Sequence, residues 1–139
     1  MDTKFSVAIH TLIMISETDH LITSEDIAIS VGTNASYIRK ILALLKKEGI
    51  VEGKRKVGGF VLRIIPQNLD LLRIWQAVSG EETPRLFDIH QNPNDRCIVG
   101  SHIRQTLTAM YGDLEESFVK ALREKTLQDC INEMRSEIG

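Results

Sequence analysis

Phe5, Ala8, Ile9, Leu12 and Ile13 recur at helical spacing and predict a first helix from about Thr3 to Ser16. The polar run Thr18-Asp19-His20 then breaks the pattern. Thr23 and Ser24 suit the N-cap of a short helix through Val31, with Glu25 and Asp26 in the first turn, where the helix dipole favours anions. Gly32 suits the left-handed residue that ends it. Thr33 or Asn34 caps the next helix, which runs to about Glu48 and stops at Gly49. Along it Ile38, Ile41, Leu42 and Leu45 form one apolar stripe, opposed by Ser36, Arg39, Lys40, Ala43 and Lys47. Two short helices joined by about three residues around a glycine form the helix-turn-helix pattern.

The pattern then changes. Ile50 to Lys54 and Phe60 to Ile65 are β-prone runs separated by "RKVGG", which predicts a hairpin with its glycines at the return. Pro66 ends the second strand, and Asn68 is placed to cap a helix carrying Leu71, Leu72, Ile74, Trp75 and Val78. Gly80 to Arg96 is polar and reads as loop. From about Ile98 to Arg123 the spacing is helical again, with Val99, Ile103, Leu107, Met110, Leu114, Phe118 and Ala121 in a near-heptad stripe. At 1.5 Å per residue such a helix is on the order of 40 Å long, more than a compact domain of this size can cover. Thr126 caps a last helix with Leu127, Cys130, Ile131 and Met134 inward. The expected fold is mainly α with a small β wing. Residues 1–80 form a winged helix-turn-helix domain and 81–97 a loop. Residues 98–139 form a dimerisation helix and a final helix that packs back on the body.

Composition sharpens this picture. With 139 residues and 42% apolar content, the chain is expected to be one domain, or one domain with an appended dimerisation element, with enough apolar side chains for a core. No apolar run reaches the roughly 18–20 residues of a membrane helix, and "MDTKFSVAIH" has none of the features of a signal peptide. Cys97 and Cys130 lie far apart without a CxxC pair, so reduced thiols in the cytoplasm are expected rather than a disulfide framework.

The formal net charge of −2 conceals a gradient. Ile22 to Ile65 holds eight Lys or Arg against four acids, a net of +4, while the remainder holds nine bases and fifteen acids, a net of −6. A basic segment on an acidic body is a surface for a polyanion. An α-helix fits the major groove of double-stranded DNA, and Ser36, Tyr37, Arg39 and Lys40 occupy the end that meets base edges. Lys54, Arg55 and Lys56 would face the backbone or a minor groove, with Gly58 and Gly59 allowing a tight return and close approach to phosphates. Tyr37 has two readings, packing under the helix or pointing its hydroxyl at a phosphate. The competing function is a winged-helix module that binds a protein partner through the same face without specific DNA binding. No paired-carboxylate, nucleophile–base or phosphate-loop constellation stands out, so no enzyme is expected.

His90, Cys97 and His102, with Asp88 or Asp95, match no compact zinc spacing, and no metal is expected. Cys97 near a helix N-terminus is the candidate redox sensor, because that position stabilises a thiolate; the plainer reading is a thiol that packs. Cys130 lies on an apolar face and reads as core, and Trp75 as an anchor of the body.

The segment "SYIRKILALLKKEGIVEGKRKVGGFVL" resembles the signature of the Rrf-two family of bacterial regulators, the IscR/NsrR/CymR type. Tyr37, Ile41, Leu42, Leu45, Gly49, Arg55, Gly58, Gly59, Phe60 and Leu62 fall on its pattern, and "PQNLDLLRIWQAV" and "TLQD" resemble its later segments. The resemblance implies a homodimeric, cytoplasmic transcription regulator, usually a repressor, joined through the long helix. Two departures stand out. The wing's usual Arg-Gly is Arg55-Lys56 here, and cluster-binding members carry three cysteines before the long helix where this chain has Cys97 alone. One thiolate cannot hold an iron–sulfur cluster, so no cofactor is expected. The signal would then act through Cys97, through a small molecule held between the DNA-binding body and the long helix, or through a protein partner.

Overall fold

The computed structural model describes residues 2–54, 56 and 58–139. In chain order the described elements are α1 (Lys4–Glu17), α2 (Ser24–Val31), α3 (Ala35–Lys47), β1 (Val51–Lys54), β2 (Gly59–Leu62), α4 (Leu71–Ser79), α5 (Ile98–Glu124) and α6 (Leu127–Ile138), with a 3-10 turn at Pro66–Asn68. The protein is mainly helical, with one two-stranded antiparallel wing.

Local chemistry fixes most boundaries. Thr23 and Asp26 form a reciprocal capping box at α2, and Thr126 and Asp129 form another at α6. Asn34 caps α3 by accepting from the Tyr37 amide at 2.8 Å. Gly32 closes α2 with φ +85°. The apolar stripes then meet in one core. Ala8 and Leu12 of α1, Ile27 of α2, Ile38, Ile41, Leu42 and Leu45 of α3, Ile74 of α4, and Leu127 and Ile131 of α6 are all buried in it. Arg135 of α6 also grips Glu17 of α1 through a bidentate ion pair, with Nη2 2.8 and 3.0 Å from the two carboxylate oxygens.

Two expectations need correction. Helix α4 is capped by Asp70, whose Oδ1 accepts from the Arg73 amide at 2.9 Å, and not by Asn68. The reason is non-local. Leu69 accepts from the Leu127 amide at 2.8 Å and Leu71 donates to the Lys125 carbonyl at 2.9 Å, so the chain stays extended there before α4 can start. Strand β2 ends at Leu62 rather than Ile65, after pairing Leu62 with Val51; one further bond, from the Arg63 amide to the Ile50 carbonyl at 2.9 Å, closes the ladder.

The wing is pressed onto the body. Phe60 bridges to Ile22 in the segment before α2, which brings Leu21 against the buried Gly59. A Cβ on residue 59 would run into the Leu21 Cβ and sit 3.2 Å from its Cα. Gly59→Ala should therefore destabilise the fold by roughly 1–3 kcal/mol, the usual cost of overpacking. Urea denaturation measures it, and Leu21→Ala should recover little of the loss in the double variant, because alanine keeps the Cβ and Cα that the new methyl would strike. Equal midpoints for Gly59→Ala and the wild-type protein would show that the wing does not seat on Leu21.

Candidate nucleic-acid interface

Helix α3 is rotated by what it buries. With Ile38, Ile41, Leu42 and Leu45 in the core, Ser36, Arg39, Lys40, Ala43 and Lys47 are left exposed on its outer side. Tyr37 lies between the two faces, half-buried against the core.

The cations are not all free. Arg39 reaches across the turn to α2, where its Nη1 lies 3.2 Å from Glu25 Oε1 and 3.4 Å from the Ser24 hydroxyl. The Ser24 hydroxyl itself donates to Glu25 Oε2 at 3.2 Å. The Glu25 carboxyl is held below the usual carboxylate range, first by its own backbone amide, then by Ser24, with Arg39 adding to the effect. On the wing Lys54 donates to Glu52 Oε1 at 3.0 Å, and Arg63 stands 3.7 Å from the other oxygen. The Lys54 bond is the main reason the Glu52 carboxyl titrates low. Lys56 is exposed in the turn, and Arg55 lies outside the described residues. Gly58 adopts φ +70° while its amide donates to the Lys54 carbonyl at 2.8 Å, which makes the tight return. Within the chain, Gly59 packs closely against Leu21.

Glu25 and Glu52 were missed by the sequence reading as partners of this surface. Glu52 and Lys54 are two apart on a strand and so share a face, a signal that was there to be read. The Glu25–Arg39 pair depends on how α2 crosses α3 and carries no local signal.

Away from this surface, Cys97 is the exposed N-cap residue of α5. The amides of Gly100 and Val99 lower its thiol below the ordinary value without closing a capping hydrogen bond. Asn94 packs its backbone onto this first turn, where a side chain on residue 100 would collide with the Asn94 carbonyl. Cys130 is half-buried, and burial pushes its thiol up. His90 is exposed in the loop, and His102 Nδ1 is engaged by the Ile98 carbonyl at 2.7 Å on α5. Trp75 is half-buried and, with Phe5 and Phe118, lines a groove of about 410 Å³ between α1, α4 and α5.

Along α5 the near-heptad stripe is largely uncovered. Val99, Met110 and Leu114 are 63%, 58% and 50% exposed, and Leu122 is the one buried residue of the helix among those described. No helix among the described residues is long and apolar enough to cross a membrane.

A helix-turn-helix with a polar outer face on its second helix, followed by a wing and a long C-terminal helix, is the architecture of a winged-helix regulator. The family model described as Rrf2, iron-dependent transcriptional regulator, matches residues 1–133, and the chain belongs to that family. It is 35% identical over 134 residues to "Putative HTH-type transcriptional regulator YwnA" of Bacillus subtilis (strain 168), covering 96% of this chain and 98% of that one. A solved structure of "a putative DNA binding protein" matches with a TM-score of 0.73 at 31% identity, over 92% of this chain and 98% of the other. The fold is also that of T. potens IscR, at a TM-score of 0.72 and 18% identity over 96% and 87% of the two chains. These relatives are regulators, and the protein is not an enzyme.

The donor set does not fit the iron of the family's description. Cys97 stands at the N-cap position of α5 while Cys130 is packed on α6, and among the described residues no three His, Cys, Asp or Glu side chains converge. Thiol reactivity is the chemistry this region does support. Under iodoacetamide, Cys97 should be alkylated first, with a rate midpoint below that of a free thiol, and Cys130 should lag with a midpoint above it. Peptide mapping across a pH series reads both, and equal rates at the two thiols would contradict the environments described.

Proposed function

We propose that this protein is a cytoplasmic, homodimeric transcriptional repressor that binds a palindromic site in double-stranded DNA. The observation that carries the reading is the outer face of α3, where Ser36, Arg39 and Lys40 stand exposed at the N-terminal end of a helix whose opposite side is fully committed to the core. Such a helix fits the major groove with those side chains at base edges. Lys54, Arg55 and Lys56 supply phosphate neutralisation from the wing. Bound to a promoter, the dimer would occlude it.

The second copy follows from α5. A stripe of Val99, Ile103, Leu107, Met110 and Leu114 at near-heptad spacing is a seam for an identical helix, and left bare it is a solubility hazard. Two α3 helices related by a two-fold axis require two half-sites in inverted orientation. The signal reaches such a dimer through Cys97, through a small molecule in the groove beside Trp75 and Phe118, or through a protein partner.

Replacing Lys54, Arg55 and Lys56 together with Ala should weaken binding to every duplex and flatten the log–log salt slope by roughly two to three units, one counterion for each lost phosphate contact. A variant that binds random duplex as well as wild type across the salt series would remove the wing from the interface. A salt-independent affinity in the wild-type protein would favour the protein-interaction module. Light scattering at micromolar concentration should give twice the 15.7 kDa chain mass, and Leu107→Glu with Leu114→Glu should halve it without loss of helical signal. A monomeric wild-type protein would contradict the seam.

A further inference from the structure

We propose that Glu25 is a positioning residue for base recognition, holding the Arg39 guanidinium so that its Nε–Nη2 edge faces a guanine. The inference rests on the reading of α3 as the base-reading helix. Its basis is which nitrogen is engaged. Glu25 Oε1 and the Ser24 hydroxyl both meet Arg39 at Nη1, at 3.2 and 3.4 Å. Among the described residues, Nε and Nη2 have no intramolecular partner. Those two donors form the planar fork that matches guanine O6 and N7 in the major groove.

The support beneath this pair is hydrogen-bonded. Ser24 is buried and donates to the second Glu25 oxygen, so the carboxylate is fixed from behind. Both residues lie in the first turn of α2, where Thr23 and Asp26 close the capping box. An arginine is long and rotamer-rich, and a fork that must find its orientation on contact with DNA loses entropy there. Anchoring Nη1 beforehand removes part of that cost for the one base that satisfies the free edge. The dipole of α2 favours an anion at Glu25 for its own reasons, but that charge opposes general affinity for phosphates, so any gain it brings to DNA binding is in selectivity.

The test selects bound duplexes from a random pool with the wild-type protein, Glu25→Gln, Glu25→Ala, Arg39→Ala and the double variant Glu25→Ala with Arg39→Ala. Arg39→Ala should lose a guanine preference at one position in each half-site. Glu25→Ala should keep guanine there but with discrimination reduced about 2- to 5-fold, the worth of an exposed ion pair, while other positions are unchanged. Glu25→Gln should fall between Glu25→Ala and wild type, and the double variant should match Arg39→Ala. Affinity for random duplex should not fall in Glu25→Ala, since an anion has been removed. A wild-type profile in Glu25→Ala beside an altered one in Arg39→Ala overturns the positioning role alone. A uniform change in affinity at all positions with guanine discrimination intact, whether upward from charge or downward from lost stability, also overturns it. If Arg39→Ala leaves the profile intact, Arg39 reads no base and the proposal fails together with the reading beneath it.

Discussion

The rotation of α3 about its own axis is the constraint on which the rest depends. Four aliphatic side chains, Ile38, Ile41, Leu42 and Leu45, are almost fully buried from this one helix. Each is worth roughly 1.5–3 kcal/mol relative to exposure, so turning the helix by one residue would forfeit several kcal/mol and drive a lysine or arginine toward the core. No polar contact on the outer side competes with that. The face bearing Ser36, Arg39 and Lys40 is therefore set by hydrophobic burial, and the Asn34 cap and the Glu25–Arg39 pair refine an orientation already decided.

The wing and the last helix extend the same logic to parts far apart in sequence. Gly59 lets β2 close on Leu21, which ties the basic turn to the segment that leads into α2. Leu127 and Ile131 join the core, and Arg135 grips Glu17, so the chain beyond α5 returns to the body that carries α3. Helix α5 itself is anchored near its C-terminal end, where Leu122 is buried, while its apolar residues Val99, Met110 and Leu114 stay exposed. The proposed homodimer would use that partly uncovered helix to set the separation of two α3 surfaces.

What could be read in the sequence follows the range of the interactions involved. The Thr23, Asn34 and Thr126 caps depend on residues within three positions, and the apolar stripes on spacing alone, so the helices and the wing were legible. The Asp70 cap was not, because Leu69 and Leu71 are committed to Lys125 and Leu127, more than fifty residues away. The packing of Gly59 against Leu21 was not legible either, because it joins segments on opposite sides of α2 and α3. The same holds at the interface. The exposed cations of α3 were readable from periodicity, whereas the partnership of Arg39 with Glu25 required the crossing of two helices. Cys97 at the head of a helix was legible, and its exposure was not.

The most direct test of the account is to see which amides respond to DNA. An isotope-labelled protein titrated with a selected duplex should show its largest backbone shifts at Ser36, Arg39 and Lys40 of α3 and at Lys54 and Lys56 of the wing, with the α4 and α6 amides nearly still. Shifts concentrated on α5 or on the groove beside Trp75, with α3 unmoved, would contradict the claim that burial of the α3 stripe creates the DNA-reading face.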